Sequence, residues 1–228
     1  MAILPRVTTT IICASLAAAG AWAAEPASET PSAVVARHSV AQPTEGIRVS
    51  VPPAAQYVGA ERFTLYDVAD AEIHVFVEAD AAKTVKKLYW IQFESYLPSR
   101  PYGRYPYGEI DRREKAWGKT VWVSSYPVDT TSAPRVGGDR ERVMRLLKRA
   151  GYKLPLEMMN VRLVRLLDDP KDTGYGRKEL MIIYSEDLTP TGRQFSELSS
   201  DEKPTPAFAP LGYALLKRAE KAVAVTYR

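Results

Sequence analysis

A clear alternation of apolar residues with mainly polar ones marks residues 72–79 as a β-strand with one buried face. One face carries Ile73, Val75 and Val77, and the other carries Glu72, His74, Phe76 and Glu78. Clusters of β-branched and aromatic residues between turn-forming residues predict further strands. These strands cover residues 47–51, 62–66, 85–97, 119–126, 161–167 and 178–184.

Two other segments repeat apolar residues every three or four positions, the period of an amphipathic helix. The first begins after Gly137 and Gly138, where Asp139 can cap the free N–H groups, and ends before Gly151. The second covers residues 210–223. Both patterns leave one apolar stripe on an otherwise polar helix.

The order of strands, helix, strands and helix predicts an α+β fold, because adjacent strands form hairpins and an antiparallel sheet. We expect an antiparallel sheet of five to six strands with the two amphipathic helices packed on one face. The length of 228 residues favours a single globular domain, which we place at residues 47–228.

The N-terminus has the layout of a cleavable signal peptide. Arg6 precedes a mainly apolar run, and Ala21-Trp22-Ala23 matches the small-x-small cleavage pattern. We predict a signal peptide over residues 1–23, cleaved near Ala23, and a periplasmic or secreted protein. The alternative is an uncleaved N-terminal anchor, although the run is shorter than the roughly 20 residues of a membrane span. Residues 24–46, rich in Ala, Pro, Ser, Thr and Glu, predict a flexible leader.

Composition narrows the chemistry available to the mature chain. Cys13, the only cysteine, lies in the signal peptide, so a thiol nucleophile, a disulfide and a Cys-ligated metal are excluded after cleavage. Lipidation at Cys13 is disfavoured because Ile12, a large residue, precedes it. No Gly-rich phosphate loop or Gly-x-Ser-x-Gly elbow occurs. We predict no cofactor, no resident metal, and no transmembrane span after cleavage.

Residues 98–118 contain too many prolines and glycines for a strand interior and predict a long loop. This loop and the strand before it supply aromatic and basic side chains that we assign to ligand or partner binding: Trp90, Tyr96, Arg100, Tyr102, Arg104, Tyr105, Tyr107, Arg112, Arg113 and Trp117. Rings stack on flat ligands, and guanidinium groups pair with carboxylate or phosphate. The alternative is a loop that only covers the edge of the sheet.

The charge of the chain bears on the kind of partner. The net charge is +4, and residues 98–150 hold twelve basic and six acidic residues. A net charge this small does not indicate a nucleic-acid-binding protein. We therefore expect an anionic or carbohydrate-like ligand of the cell envelope, or a protein partner.

His74 is the only histidine inside the predicted fold and has carboxylates nearby. Glu72 and Glu78 share its strand face, and Glu94 lies on the next strand in an apolar setting. Imidazole with carboxylate can move a proton or assist a metal ion. The alternative is a solvated polar face, because residues two apart on one strand are about 7 Å apart and cannot surround an ion.

Two functional hypotheses follow. The favoured one is a non-catalytic periplasmic binding or interaction module that uses the aromatic and basic loop together with the sheet face. The alternative is a periplasmic enzyme, hydrolase-like or metal-assisted, that uses His74 with the nearby carboxylates.

Overall fold

The structure is a computed structural model that describes residues 29–201 and 203–228. The predicted signal peptide and the first residues of the predicted leader lie outside the described residues. No helix in the described ranges is long and apolar enough to cross a membrane.

The chain alternates groups of strands with short helices. The strands are β1 (Val34–Ala36), β2 (Ser39–Gln42), β3 (Ile47–Ser50), β4 (Gln56–Leu65), β5 (Ala69–Ala79), β6 (Val85–Tyr96), β7 (Tyr105–Pro106), β8 (Arg112–Ala116), β9 (Lys119–Asp129), β10 (Glu157–Leu166), β11 (Tyr175–Gly176), β12 (Lys178–Asp187), β13 (Ser199–Ser200), β14 (Lys203–Pro204) and β15 (Ala224–Tyr227). The helices are α1 (Tyr107–Ile110), α2 (Asp139–Arg149), α3 (Phe195–Leu198) and α4 (Ala209–Ala222).

A seven-stranded antiparallel sheet in the order β4-β5-β6-β12-β10-β9-β8 forms the centre of the fold. The α+β class and the antiparallel pairing are therefore confirmed, but the sheet has seven strands rather than five to six. The additional strand, β8, lies at one edge of the sheet. Its sequence, RREKA, carries almost no apolar residue, because an edge strand buries little surface.

The two long helices cover opposite faces of this sheet. On one face α2 buries Leu146 and Leu147 against a cluster that includes Ile73. On the other face α4 buries Leu215 in a cluster that includes Phe76. The prediction that both helices pack on one face is wrong. The central strands carry apolar residues at consecutive positions, so both of their faces require a cover.

The described part of the predicted leader contains regular structure. β1 and β2 join β3 and the C-terminal strand β15 in a four-stranded antiparallel sheet. Val40 of β2 is fully buried in the α4-side core. Residues 29–46 therefore differ from the predicted flexible segment, because strands of three or four residues are too short to show a clear hydrophobic period.

Residues 98–118 also contain regular elements where the sequence predicts only a loop. β7 pairs with β11, α1 follows directly, and β8 pairs with β9. A Cβ added to Gly108 would lie 2.8 Å from the carbonyl oxygen of Thr173, so glycine permits this close approach. The contact fixes the Tyr105–Tyr107 segment over the end of the sheet.

Strand β9 runs past Pro127, where the sequence predicts its end. Its pairing with β8 extends only as far as Val123, opposite Arg112. Beyond that residue no strand within the described ranges pairs with this side of β9, so Pro127 lies at an edge of the sheet, where proline is tolerated. Pro127 lies opposite Met159 in the register with β10.

Leucine truncation tests the two-sided core. Leu147→Ala under α2 and Leu215→Ala under α4 should each lower the free energy of unfolding by about 2–5 kcal/mol, since both side chains are buried. Their effects should add to within about 0.5 kcal/mol, because the sheet separates the two sites. Urea unfolding of both single variants and the double variant measures this.

The matched control is Leu156→Ala, since this leucine is 72% exposed and should lose less than about 0.5 kcal/mol. A coupling energy well above 1 kcal/mol between the two buried sites would contradict the two-sided arrangement.

Candidate functional site

The strand registers place polar side chains in rows across the sheet face that α2 covers. One row runs Leu88, Ser185, Asn160, Tyr126, and the next runs Trp90, Ile183, Arg162, Ser124. These rows combine residues from four strands. We call this side of the sheet the α2 face.

A cavity of about 320 Å³ lies between α2 and this face, and we call it the α2 cavity. Most of its wall is apolar: Leu88, Trp90, Val128, Val143, Met144, Leu154, Met158, Met181 and Ile183. The polar lining residues are Tyr126, Thr130, Asp139, Arg140, Asn160, Arg162 and Ser185. A mainly apolar recess with several polar groups is a usual form of small-molecule site.

Arg162 is a partly buried cation in this wall, with 25% of its side chain exposed. Its Nη2 donates to Asp111 Oδ2 at 2.9 Å and to Oδ1 at 3.1 Å. The guanidinium carbon lies 5.3 Å from the ring centre of Tyr107. Within the part of the chain that the structure describes, Arg162 Nε and Ser185 Oγ are buried and have no hydrogen-bond partner. Two polar atoms in the wall of the cavity are thus left unsatisfied by the protein.

Two glutamates lie directly opposite each other at the end of the same face. Glu94 of β6 pairs in register with Glu179 of β12, and both are buried. The Tyr105 hydroxyl donates to Glu94 Oε1 at 2.6 Å, and Gln92 Nε2 donates to Glu94 Oε2 at 2.6 Å. Trp90 Nε1 in turn donates to Gln92 Oε1 at 2.9 Å. This chain of hydrogen bonds connects the carboxyl pair to the cavity wall.

Burial shifts the protonation of these acids. It raises the pKa of Glu94, and it raises the pKa of Glu179 further, with the charge of Glu94 as an added cause. Tyr107 donates to Glu179 Oε1 at 3.3 Å, whereas Oε2 has no partner among the described residues. Burial also raises the pKa of Asp139 at the start of α2. Burial on the α2 side of the sheet thus raises the pKa of three carboxyl groups.

His74 and Glu72 lie on the opposite face and are closed off from solvent. His74 is 0% exposed, and its Nε2 lies 2.8 Å from Glu72 Oε1. The backbone N–H groups of Ser32 and Ala33 donate to Glu72 at 2.7 and 2.8 Å, as does the Ser32 hydroxyl at 2.7 Å. Burial alone would raise the pKa of Glu72, but these bonds and the one from His74 lower it to about 2.

The four candidate catalytic residues do not form one site. Glu94 pairs in register with Ala71, so its side chain points to the face opposite His74. Glu78 shares the His74 face but accepts hydrogen bonds from the Tyr89 hydroxyl at 2.6 Å and from Lys87 at 3.0 Å. The predicted solvated polar face is instead buried. Among the described residues no group of three or more His, Cys, Asp or Glu could hold a metal ion.

A second cleft, of about 300 Å³, lies at the strand ends and has both Glu72 and Glu94 in its wall, without His74 or Glu78. Two ion pairs lie in its wall. Arg62 donates to Asp70 at 3.0 and 2.7 Å, and Lys178 lies 3.1 Å from Glu45. Among the described residues of this cleft the unpartnered atom is a carboxyl oxygen, Glu179 Oε2, whereas the α2 cavity has an unpartnered guanidinium nitrogen and an unpartnered hydroxyl.

The aromatic residues assigned to binding mostly support the α2 face. The Tyr96 and Tyr105 rings pack at 4.7 Å between centres, and Tyr105 and Tyr107 lie 6.0 Å apart. Trp90 lines the cavity. Trp117 is the exception, because its Nε1 donates to the Val223 carbonyl at 2.8 Å on the α4 side.

The remaining assigned residues stay on the surface and are not gathered into one site. Tyr102 is 88% exposed, and Arg104 is also exposed. The other three arginines contact neighbouring groups: Arg112 the carboxylate of Glu114 at 2.6 Å, Arg113 that of Asp172 at 3.7 Å, and Arg100 the Asp67 carbonyl at 3.3 Å.

Arg177 holds the start of the loop, although it was not among the site residues predicted from the sequence. Its Nη1 donates to the carbonyl groups of Arg100, Pro101 and Gly103, each at 2.8 Å. Three residues of the α2 face, Arg162, Glu179 and Ser185, were also missed. Each of the three is a charged or hydroxyl residue inside a mainly apolar strand, and this pattern could have identified it in the sequence.

Two Glu→Gln variants should respond to pH in opposite directions. In wild type, the charged Glu72 stabilises the fold above pH 4.5 by an amount on the order of 2 kcal/mol, and this contribution is lost as pH falls toward about 2. Glu72→Gln lacks this contribution at every pH. Glu179→Gln removes a group with a raised pKa, so its stability relative to wild type should improve as pH rises above 4.5. Urea unfolding from pH 2.5 to 8 measures both.

Each variant serves as the control for the other, because both exchange one buried carboxyl for an amide. Parallel pH profiles for wild type and Glu179→Gln above pH 4.5 would contradict the burial of a protonated acid at that position.

Comparisons of the chain with protein-family models, with curated proteins and with solved structures gave no match. The function is therefore argued from the geometry of the chain itself.

Proposed function

We propose that this chain is an exported, non-catalytic binding module that holds one small ligand in the α2 cavity. The observation that carries the proposal is the pair of buried atoms Arg162 Nε and Ser185 Oγ, which belong to lining residues and have no partner in the described chain. A buried polar atom without a partner costs about 1–3 kcal/mol. A ligand that satisfies both atoms recovers that cost.

The size of the cavity limits the ligand. A volume of about 320 Å³ corresponds to roughly ten water molecules at about 30 Å³ each. A ligand of roughly ten non-hydrogen atoms therefore fits, with its apolar part against the hydrophobic wall. This is close to the lower limit of about 300 Å³ for small-molecule pockets.

A groove outside α2 provides a route to the cavity. The groove, of about 570 Å³, shares Thr130, Met144 and Leu154 with the cavity wall. Met144 is partly exposed, and its flexible side chain can move aside at low cost. Ligand entry past Met144 thus requires no unfolding of the sheet.

The lining chemistry supports binding rather than catalysis. Among the described lining residues there is no histidine or lysine, and Ser185 Oγ has no base within hydrogen-bond distance. A serine nucleophile needs such a base. His74, the basis of the alternative enzyme hypothesis, is enclosed by Glu72 and Tyr57, which supports a structural role.

Within this proposal the aromatic loop has a supporting task. Tyr105 and Tyr107 hold Glu94 and Glu179 by hydrogen bonds, and Tyr107 lies beside Arg162. The loop thereby positions the polar end of the cavity. This extends the binding hypothesis drawn from the sequence to a specific place on the sheet.

Filling the entrance tests the binding function. A panel of octan-1-ol, octanoate and octylamine should contain at least one molecule that binds wild type in a one-to-one complex by calorimetry. Met144→Trp should weaken that binding at least about ten-fold, because the larger ring occupies the cavity. Trp90, which lines the cavity, offers a fluorescence signal for the same titration.

Met144→Leu is the matched control and should bind like wild type, since the exchange conserves volume. Circular dichroism establishes that both variants are folded. Equal affinity of wild type and Met144→Trp would place binding elsewhere, and no binding of any of the three molecules would contradict the proposed function.

The export part of the proposal has its own test. The first described contacts of the domain involve Glu29, Ser32 and Ala33, so cleavage near Ala23 removes none of them. Mass spectrometry of protein from an envelope fraction should find a mature chain that starts near Ala24. An intact Met1 in the cytosolic fraction would contradict export.

A further inference from the structure

We infer that the ligand of the α2 cavity is a small monocarboxylate with an unbranched apolar chain, held by Arg162 and Ser185. This inference rests on the proposed function and adds the chemical class of the ligand.

The unsatisfied atoms require a hydrogen-bond acceptor on the ligand. Arg162 Nε–H can only donate, because a guanidinium has no acceptor atom. Ser185 Oγ can donate to the same ligand group, and Asn160, next to Ser185 in the register, adds an amide. A carboxylate has two oxygens and pairs with guanidinium more strongly than a neutral carbonyl does.

The ion pair between Arg162 and Asp111 leaves the Nε donor of Arg162 available. Asp111 takes both of its hydrogen bonds from Nη2 and none from Nε. The carboxylate of Asp111 keeps the partly buried guanidinium oriented, as a preformed site requires. The ligand can therefore bind at Nε without breaking the ion pair.

The other charged groups around the polar end of the cavity decide between a carboxylate and an ammonium ligand. From α2, Asp139 and Arg140 line the cavity. Arg140 donates to the Asp129 and Ser132 carbonyls at 3.1 and 3.2 Å. The tyrosines around this end are Tyr126 in the lining and Tyr105 and Tyr107 behind it. Glu94 and Glu179 do not line the cavity, and Gln92, which donates to Glu94 and accepts from Trp90, connects them to its wall.

Asp139 is the acidic residue among those that line the cavity. Burial raises its pKa, so it takes up a proton more readily than an exposed aspartate, and the protonated carboxyl can donate a hydrogen bond to an anionic ligand. Carboxylate binding then takes up a proton at Asp139. Affinity for a carboxylate should increase as pH falls, whereas affinity for an ammonium should decrease.

The apolar end fits a flexible chain rather than a rigid ring system. Met144, Met158 and Met181 line it, and methionine side chains adapt to unbranched alkyl groups. Octanoate has ten non-hydrogen atoms, which matches the volume estimated above. Octanoate is therefore the probe of choice.

The experiment compares octanoate with octylamine and octan-1-ol by calorimetry at pH 5.5, 6.5 and 7.5. We expect octanoate to bind at least about ten-fold tighter than either analogue, with an affinity that increases toward pH 5.5. Tighter binding of octylamine or octan-1-ol, or an octanoate affinity that increases toward pH 7.5, would overturn the inference and leave the binding function standing. No binding of any probe would overturn both.

Variants of the two donors locate the carboxylate. Arg162→Lys retains the charge beside Asp111 but removes the Nε donor, and Ser185→Ala removes one hydroxyl without changing charge. Each should weaken octanoate binding about ten-fold, while octan-1-ol is affected less. Ser185→Ala keeps the test decisive if Arg162→Lys does not fold.

Arg165→Lys is the matched control. Arg165 lies on the same strand and pairs with Asp172 at 2.6 Å, but it does not line the cavity. This variant should bind octanoate like wild type. Unchanged octanoate affinity in Ser185→Ala, or an equal loss in Arg165→Lys, would overturn the assignment of the donors.

Discussion

The pairing of β6 with β12 is the constraint on which the rest of the structure depends. These strands lie about 85 residues apart in the chain, and their register places Glu94 opposite Glu179 and Trp90 opposite Ile183. The pairing joins the β4–β6 meander to the strands β12, β10, β9 and β8 in a single sheet. The floor of the α2 cavity exists only because side chains from both halves meet there.

A sheet of this size must be covered on both faces, and the chain uses different means on each. α2 covers one face, while α4 and the four-stranded sheet cover the other. Polar residues inside the sheet consequently meet two kinds of surroundings. Glu72 receives several hydrogen bonds that stabilise its charge, whereas Glu179 is buried beside another acid and is stabilised when neutral.

The cavity and the aromatic loop form one structural unit. Arg177 holds the loop backbone, and the loop in turn directs Tyr105 and Tyr107 at the carboxyl pair. Tyr107 also lies beside Arg162, whose orientation Asp111 fixes from the residue after α1. The sequence predicts a binding surface made of the loop and the sheet face, and the proposed site lies on that sheet face, with the loop behind its polar end.

The sequence by itself determined the local elements. The alternation at Ile73, Val75 and Val77 specified β5, and the stripe ending at Gly151 specified α2, because periods of two and 3.6 residues depend only on the neighbouring chain. It also determined the α+β class with antiparallel hairpins. The sequence did not predict the polar edge strand β8 or the short strands β1 and β2, because they bury too little surface to leave a hydrophobic pattern.

Only the tertiary structure decided which faces and which strands meet. The sequence places Glu94 and His74 on successive strands, but the β5–β6 register turns the two side chains to opposite faces. It shows Arg162 and Ser185 as isolated polar residues, and the β10–β12 register brings them to adjacent rows of one face. Strand partners and helix placement depend on burying both faces of the sheet at once, and that requirement is a property of the whole fold rather than of any local segment.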